Sequence, residues 1–452
     1  MDTVVPFFLS RTADLPFERD PILLESYFKL STHGTSVRTE VLAGFTIFLT
    51  MAYIVFVNPQ ILATTGMDAG AVFVATCVAA AVGTLVMGLY ANYPIALAPG
   101  MGLNAYFAYA VVGGMGYSWQ VALGAVFLSG VAFIVLSLLP VREAIINAIP
   151  RSLKLAISAG IGLFLALIAL QNAGIVADHP ATLVTLGDLT RPEAVLASLG
   201  FLLLVALAAR RVTGAVILAI LAVTLAGVLL GVTPFDGRIV SLPPDPSPTF
   251  LQMDVTGALH VGLVAIVFAF LFVDLFDTAG TLVGVAHRAG LLTPDGRLPR
   301  LGRALLADST ATVAGAMLGT STVTSYIESA AGVNVGGRTG LAAFVVALLF
   351  LACLFLAPLA AAIPAYATAP ALLYVACLMT HGLAEVDWDD VTEYAPAVVT
   401  AVAMPLTFSI AHGIGFGFIA YVGIKLLSGR LAALNPAIVI LAGLFVVKFA
   451  TA

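Results

Sequence analysis

Long apolar stretches recur along most of the chain. From Val41 to the C-terminus they alternate with short polar loops. Each run has roughly 17 to 25 residues, long enough to cross about 30 Å of hydrocarbon as a helix. The runs lack the alternating pattern of membrane β-strands, and in lipid only helices and closed barrels satisfy their backbone hydrogen bonds. The pattern therefore predicts an all-α polytopic membrane protein.

Fourteen membrane segments are expected, in two sets of seven. The first set is expected at 38–58, 71–90, 94–112, 119–139, 151–171, 193–210 and 214–231. The second set is expected at 259–285, 302–318, 320–335, 338–357, 365–382, 391–410 and 412–428. After seven crossings the second set enters from the opposite side of the membrane, which is the geometry of an inverted repeat.

This division sets the expected domain boundaries. They are an N-terminal segment 1–37 with an interfacial helix at Pro21–Leu30, a first repeat 38–231, an extracytoplasmic loop 232–258, a second repeat 259–430 and a C-terminal apolar segment 431–452. Whether the stretch 435–450 spans the membrane is left open.

Basic residues favour a cytosolic N-terminus. In that orientation all but three of the 19 Lys and Arg residues fall on the cytosolic side; Arg191 and Arg238 fall outside, and Lys448 lies in the unplaced stretch. Residues 1–36 lack an uninterrupted apolar core followed by a small-residue cleavage site, so no removable signal peptide is expected. We therefore expect a multi-pass protein of the plasma (cell inner) membrane.

Composition excludes several classes of protein. Hydrophobic residues make up 61% of the chain and charged residues 10%, whereas an ordinary soluble domain has about 25% charged residues. No basic block indicates a nucleic-acid partner, and the net charge of −5 rests on few groups. Cys77, Cys353 and Cys377 lie far apart in apolar runs, so we expect buried thiols rather than disulfides or a metal site.

The third and tenth segments are predicted to be broken. Pro94–Tyr109 and Thr320–Gly337 are short, glycine-interrupted and in corresponding positions of the two halves. Broken helices in matched positions expose backbone donors near the membrane midplane and mark a transporter's binding site. The alternative is that the glycines only allow close helix packing. The hydroxyl-rich run Thr320–Ser325 either lines a solute path or caps the half-helix.

Three carboxylates and one amide stand out inside apolar runs. Asp274, Asp277 and Glu328 are costly at membrane depth, where charged groups usually face a pathway. Asp274 and Asp277 are three residues apart and are expected to share a helix face. Asn104 is the matching polar group of the first broken segment and offers both donors and acceptors. The alternative for all four is a structural role between packed helices.

Four long motifs resemble the adenine/guanine/hypoxanthine permeases. These form the AzgA-like branch of the nucleobase:cation symporter 2 superfamily, and the likeness covers roughly residues 24–430. The motifs are GTSVRTEVLAGFTIFLTMAYIVFVNPQIL (34–62), APGMGLNAYFAY (98–109), FAFLFVDLFDTAGTLVGVA (268–286) and GTSTVTSYIESAAGVNVGGRTGL (319–341). The resemblance implies a uracil-permease-like fold of two inverted repeats with a core and a gate domain, often as a homodimer.

The resemblance also implies the site residues. Asp274, Glu328 and Asn104 would contact the substrate, Tyr326 would line it, and Asp277 would be a second essential carboxylate. From these positions we expect substrate binding by Glu328, Asp274, Asn104 and Tyr326, and proton coupling by Asp274 or Asp277. A desolvated carboxyl group binds a proton more readily than one in water, which suits coupling.

The expected function is import of purine bases (hypoxanthine, guanine, adenine) by cation symport, with a proton as the cation and sodium left open. No enzymatic activity, metal or other cofactor is expected, and the partners are the base, the cation, membrane lipid and a second copy. One alternative is a carrier of another small solute or an anion on the same fold, although no Lys or Arg lies in either broken segment before Arg338. A remote alternative, an intramembrane aspartyl protease, needs its two aspartates on different helices.

Overall fold

The chain is described here from a computed structural model. It covers residues 22–139, 150–259, 264–293 and 298–451. The expected segment before Ile22, the start of the expected eighth segment at 260–263, and the basic residues Arg142 and Arg297 lie outside these ranges, as does the side chain of Lys448.

Within the described ranges, the first half contains nine α-helices and three short strands. In chain order they are α1 (Ile22–Phe28), α2 (Val37–Met51), α3 (Ile54–Ala63), α4 (Ala69–Val86), β1 (Leu97–Pro99), α5 (Met101–Ala105), α6 (Trp119–Leu138), α7 (Arg151–Asn172), β2 (Val176–His179), β3 (Leu183–Leu186), α8 (Pro192–Ala209) and α9 (Ala215–Leu229). Two π-helical stretches, Met87–Ala91 and Tyr106–Gly114, extend α4 and α5.

The second half repeats the same kinds of element. They are α10 (Val255–Ala258), α11 (Val264–Arg288), α12 (Leu301–Leu318), β4 (Val323–Ser325), α13 (Ser329–Asn334), α14 (Gly340–Cys353), α15 (Ala357–Ala362), α16 (Ala365–Thr380), α17 (Val391–Leu406), α18 (Ile410–Leu427) and α19 (Pro436–Thr451). Short 3₁₀ turns lie at Leu354–Leu356, His381–Glu385 and Leu431–Ala433.

Helices long enough to cross a membrane dominate the structure. Nine apolar helical stretches within the described ranges reach 18 residues or more, and α9, α17 and the apolar part of α19 are shorter. The all-helical membrane fold is thereby confirmed, while the count of fourteen spans stays a prediction. Helix α1 lies within the expected Pro21–Leu30 stretch, and its place at the membrane interface stays a prediction.

Side-chain caps fix where many of these helices begin. Ser36, Asp68 and Ser118 accept hydrogen bonds from backbone N–H groups in the first turns of α2, α4 and α6. Ser409 does the same for α18, and Phe408 before it has a left-handed backbone with φ of 50°. These two residues end α17 at Leu406, earlier than the expected boundary at residue 410.

Both predicted broken segments are interrupted helices, as expected. In the third, the extended strand β1 precedes α5; in the tenth, β4 precedes α13. The two strands pair antiparallel, with Leu97 opposite Ser325, Ala98 opposite Thr324 and Pro99 opposite Val323. The broken segments of the two halves therefore meet each other directly.

The helices pack in two groups, each drawn from both halves of the chain. In the first group α2, α4 and α6 pack with α11, α12 and α14. In the second group α7, α8 and α9 pack with α16, α17 and α18. The strands β1 and β4 belong to the first group through contacts with α4 and α12.

One expectation about local structure is wrong. Cys77 and Cys353 are buried as expected, but Cys377 is exposed on α16 because that part of the helix faces outward. The loop between α7 and α8 forms a hairpin of β2 and β3, which pair from Val176 opposite Leu186 to His179 opposite Leu183. Its strands are four residues long, too short to give a readable alternation.

A carboxylate of the first half caps a helix of the second. Glu40 on α2 is fully buried and accepts hydrogen bonds from the backbone N–H groups of Arg338 (2.8 Å), Thr339 (3.2 Å) and Ala342 (3.2 Å). The Asn92 side-chain oxygen accepts from the N–H of Gly340 at 2.7 Å. The otherwise unpaired N–H groups at the start of α14 are thus satisfied by side chains about 250 to 300 positions away.

Glu40→Ala should destabilise the protein strongly. The change leaves buried N–H groups of α14 without an acceptor, and each such group costs about 1 to 3 kcal/mol. The midpoint of thermal unfolding in detergent, followed by tryptophan fluorescence or circular dichroism, should fall clearly. Glu25→Ala is the matched control, because among the described residues the Glu25 carboxylate accepts from the exposed Ser31 alone. Equal midpoints for Glu40→Ala and wild type would contradict the capping role.

Candidate functional site

The paired strands form a small platform at the centre of the first helical group. The ladder continues beyond the strands, since the N–H of Gly100 donates to the carbonyl of Thr322 and that of Tyr326 to the carbonyl of Ala96, both at 2.9 Å. Pro99 has no N–H, and it occupies a position where the ladder requires none. Because the strands are antiparallel, α5 and α13 leave the platform at opposite ends.

Tyr326 lies across this platform. Its side chain is 6% exposed, and its hydroxyl donates to the carbonyl of Pro99 at 2.6 Å. Ser329, at the start of α13, accepts through its hydroxyl from the N–H of Ala96 at 3.0 Å. The two broken segments are therefore joined by side chains as well as by the ladder, and Tyr326 is held in one orientation.

Glu328 follows Tyr326 and is half-buried. One oxygen of its carboxylate accepts from the hydroxyl of Tyr53 at 2.8 Å. Tyr53 is 1% exposed and lies at the interruption between α2 and α3. Residue-based reasoning did not select Tyr53, although it lies within the first of the four motifs.

Asp277 faces open space beside the same strands. Its side chain is exposed, and a Cβ atom built on Gly280, one turn further along α11, would meet no atom within 4 Å. No described residue therefore packs against this part of α11. The carboxylates of Asp277 and Glu328 are close enough to interact electrostatically. Asp277 and Glu328 thus lie near each other beside the strands.

Asp274 lies on a different side of α11 and is 1% exposed. One of its oxygens accepts from the hydroxyl of Thr312 at 3.1 Å, and the other has no hydrogen-bond partner among the described residues. Thr312 on α12 also supports the platform, because its hydroxyl oxygen lies 2.9 Å from the carbonyl oxygen of Val323 in β4. Asp274 is therefore behind the strands and not beside Glu328.

Asp308 on α12 completes this buried cluster. It is fully buried, it interacts electrostatically with Asp274, and one of its oxygens accepts from the hydroxyl of Ser325 in β4 at 2.8 Å. The hydroxyls of Thr278 and Thr324 lie 2.8 Å apart next to the two carboxyl groups. Residue-based reasoning missed Asp308, although an acid in the middle of an apolar run was the available signal.

The hydroxyl-rich run before Glu328 is used inside the protein. Thr320 accepts from the side chain of Asn58 at 2.9 Å, while Thr324 and Ser325 bond Thr278 and Asp308 as described. Thr320 thus ties the start of the run to α3, and Thr324 and Ser325 tie β4 to α11 and α12. The buried hydroxyls of Ser321 and Thr322 have no hydrogen-bond partner among the described residues.

Asn104 is a predicted site residue whose side chain makes no hydrogen bond to another described residue. It is fully buried in α5, and neither its oxygen nor its nitrogen has a partner among the described residues. An amide buried without partners costs about 1 to 3 kcal/mol. Helix α5 contacts both α7 and α11, so this amide lies where the two helical groups approach each other.

The sequence matches a family of transport proteins over most of its length. Residues 38–416 match the model Xan_ur_permease, described as the Permease family. The chain belongs to this permease family. As a permease it is an integral membrane protein and not an enzyme, so its site is built for binding and release.

Individual relatives of this permease agree with the family match. It is 51% identical to the adenine permease AdeP of Escherichia coli (strain K12), over 94% of this chain and 96% of AdeP. It is 47% identical to the guanine/hypoxanthine permease PbuG of Bacillus subtilis (strain 168), over 94% and 98% of the two chains. The transmembrane domain of the cyanobacterium bicarbonate transporter BicA shares the fold, with a TM-score of 0.64 and 17% identity over 83% of this chain and 96% of that domain.

A pair of cysteines at opposed strand positions should cross-link the permease. Pro99 and Val323 form a non-hydrogen-bonded pair, in which Cα atoms lie about 4.5 Å apart, within disulfide range. In a background without Cys77, Cys353 and Cys377, Pro99→Cys with Val323→Cys should join the two halves under oxidising conditions. A protease site inserted in 232–258 gives the readout, because cross-linked halves stay together without reductant.

Leu97→Cys with Val323→Cys is the control for this experiment. It is out of register by two residues, about 7 to 8 Å on a strand pair, and should cross-link poorly. Equal cross-linking of both pairs would contradict the register.

Proposed function

We propose that this permease imports purine bases together with a cation, and that the base binds beside Glu328 and Asp277. The family match supports transport, and the relatives named for adenine and for guanine/hypoxanthine support the class of solute. The single observation that carries the location is the meeting of two carboxylates at a pair of antiparallel broken segments.

Purine chemistry fits the groups at this site. A purine base is flat, neutral and rich in N–H donors and ring-nitrogen acceptors. Glu328 and Asp277 accept from ring or exocyclic N–H groups, while the unpaired amide of Asn104 both donates and accepts. Tyr326 keeps its hydroxyl on Pro99 and offers only its ring and edge to the base. Asp274 has no place in this contact set, because its carboxyl group lies with Thr312 and Asp308.

The cation is a proton, held by the cluster of Asp274 and Asp308. Two carboxyl groups in one buried cluster cannot both be ionised without a large cost, so they hold a proton between them. Ser325 and Thr324 of β4 connect this cluster to the strand that leads into Glu328. A shift of β4 on base binding therefore alters the hydrogen bonds of the proton carrier. Among the two aspartates first expected to carry the proton, this arrangement favours Asp274 over Asp277.

An anion carrier is the alternative on the same fold. BicA, which shares the architecture, is a bicarbonate transporter by name. The charged groups at the proposed base site are carboxylates, and they repel an anion. The chemistry of this site therefore favours a neutral solute with hydrogen-bond donors.

The cellular arrangement follows from the same proposal. We place the permease in the plasma membrane with a cytosolic N-terminus, on the distribution of Lys and Arg, and as a homodimer on the family resemblance. The first helical group then holds the base, and the second group moves against it to expose the site on alternate sides.

Glu328→Gln should lower the initial rate of hypoxanthine and adenine uptake by about tenfold or more, since a hydrogen bond to a charged group contributes about 1.5 to 3 kcal/mol. Tyr53→Phe should give a smaller loss, because Tyr53 positions Glu328 and does not face the base. Uptake of radiolabelled base into cells, corrected for protein in the membrane, measures both. Asp236→Asn, in an exposed loop, is the control and should leave the rate unchanged.

An unchanged uptake rate in Glu328→Gln would contradict the proposed location of the base site. Competition by sulfate or bicarbonate, but not by unlabelled hypoxanthine, would favour the anion carrier instead.

Asp308→Asn and Asp274→Asn should uncouple transport from the proton gradient. In proteoliposomes both variants should still exchange labelled for unlabelled base but lose accumulation driven by an imposed pH difference. Asp277→Asn should lose both activities, because it removes a contact to the base. Full pH-driven accumulation by both buried-cluster variants would overturn the proton assignment, and accumulation driven by a sodium gradient alone would replace the proton with sodium.

A further inference from the structure

A basic cavity lies outside the proposed base site, with a different set of lining residues. It encloses about 560 Å³ where the N-terminal segment, the end of the π-helical stretch after α4 and the start of α12 come together. Its lining includes Tyr27, Leu89, Tyr90, Lys29, Arg300 and Arg303. By the distribution of basic residues, this is the end of the helices expected in the cytosol.

The lining of this cavity carries only positive charge among the residues that the structure describes. Lys29, Arg300 and Arg303 face it together with His33, and no carboxylate is part of the described lining. Burial and the neighbouring Arg300 and Lys29 lower the pKa of His33, so the imidazole adds a neutral hydrogen-bonding group. Glu25, one turn before Lys29, is engaged by the N–H and hydroxyl of Ser31.

The two arginines are also held against aromatic rings. The Arg300 guanidinium lies 4.8 Å from the ring centre of Tyr93, and that of Arg303 lies 5.4 Å from the ring centre of Tyr90. Stacked guanidinium groups keep their N–H edges available, and those edges match the oxygen spacing of a phosphate group.

The backbone around the cavity is unusual. Lys29, Asn92 and Arg300 have left-handed backbones, with φ of 56°, 53° and 59°, and all three line the cavity. Such conformations are costly for residues with a side chain, and they cluster at ligand clamps. The walls are tied together, since the Asn92 side chain donates to the carbonyl of Phe28 at 3.2 Å and the Tyr27 hydroxyl to that of Leu89 at 2.8 Å.

We propose that this cavity binds a phosphate group, supplied by an anionic phospholipid at the membrane surface. Three cationic side chains, Lys29, Arg300 and Arg303, balance the charge of the phosphate. Tyr27 and Tyr90 are about half exposed, at 52% and 49%, beside Leu89 at 40%. Aromatic and apolar side chains next to Lys and Arg are the usual lining of a headgroup site at the interface.

The position of the cavity gives the bound phosphate a structural effect. Arg300 and Arg303 begin α12, the helix that carries Asp308, while Lys29 belongs to the N-terminal segment. A phosphate bridging them ties that segment to α12 and to the end of the second predicted span. The bound lipid therefore stabilises the first helical group against unfolding.

The test uses the full chain, purified in a neutral detergent and titrated with phosphatidylglycerol, with phosphatidylcholine, or with inorganic phosphate or glycerol 3-phosphate. The midpoint of thermal unfolding reports binding. Phosphatidylglycerol should raise the midpoint and phosphatidylcholine should not. Arg300→Gln with Arg303→Gln should weaken the apparent affinity by about 25-fold, and Lys29→Gln alone by about fivefold, at about 1 kcal/mol for each charge.

Arg210→Gln with Arg211→Gln is the matched control. These exposed arginines lie on the same predicted side but away from the cavity, and their loss should change the affinity less than twofold. Lys29→Gln decides the outcome if the arginine double variant does not fold. If the soluble phosphates stabilise the protein with the same dependence on Lys29 and Arg300, the phosphate site is supported. Its ligand is then a soluble phosphate compound and not a phospholipid.

Two results would overturn the proposal. One is stabilisation by phosphatidylglycerol that Lys29→Gln and the arginine double variant leave unchanged. The other is an equal loss of affinity in the Arg210 and Arg211 control, which would show only a general attraction of basic loops to anionic lipid.

Discussion

The pairing of β1 with β4 is the interaction on which the rest of the structure depends. An interrupted helix at membrane depth leaves N–H and C=O groups that lipid cannot satisfy. Here each interruption satisfies the other, through a ladder that runs from Ala96 and Tyr326 to Gly100 and Thr322. Glu328, the buried aspartates and both half-helices take their positions from this ladder, so the site exists only when both halves of the chain are present.

Much of this architecture could be predicted from the sequence, because apolar runs and their interruptions are local features. Pro94–Tyr109 and Thr320–Gly337 were identifiable from their glycines and polar groups alone. The strand pairing was not, since three-residue strands give no periodic signal and the partners lie more than 220 positions apart. The contact of Tyr53 with Glu328 is equally a product of folding, as nothing in the sequence links the first segment to the tenth.

The two aspartates of α11 show that residue spacing on a helix does not fix the surroundings of each side chain. Residues three apart are separated by about 60° around an α-helix. In a closely packed helix that angle suffices to bury Asp274 against α12 and leave Asp277 exposed beside Glu328. Spacing alone could place both carboxylates near the site but could not assign them separate surroundings. Asp308 shows the opposite case, in which a polar residue inside an apolar run was a sufficient signal.

The capping of α14 by Glu40 has a consequence for how the chain is made. Glu40 is synthesised 298 residues before Arg338, whose N–H it binds. At about 5 to 20 residues per second, the ribosome needs roughly 15 to 60 s to cover that distance. Throughout that interval the Glu40 carboxylate has no helix to cap. A chain truncated before α14 lacks the N–H groups that this carboxylate binds in the complete fold.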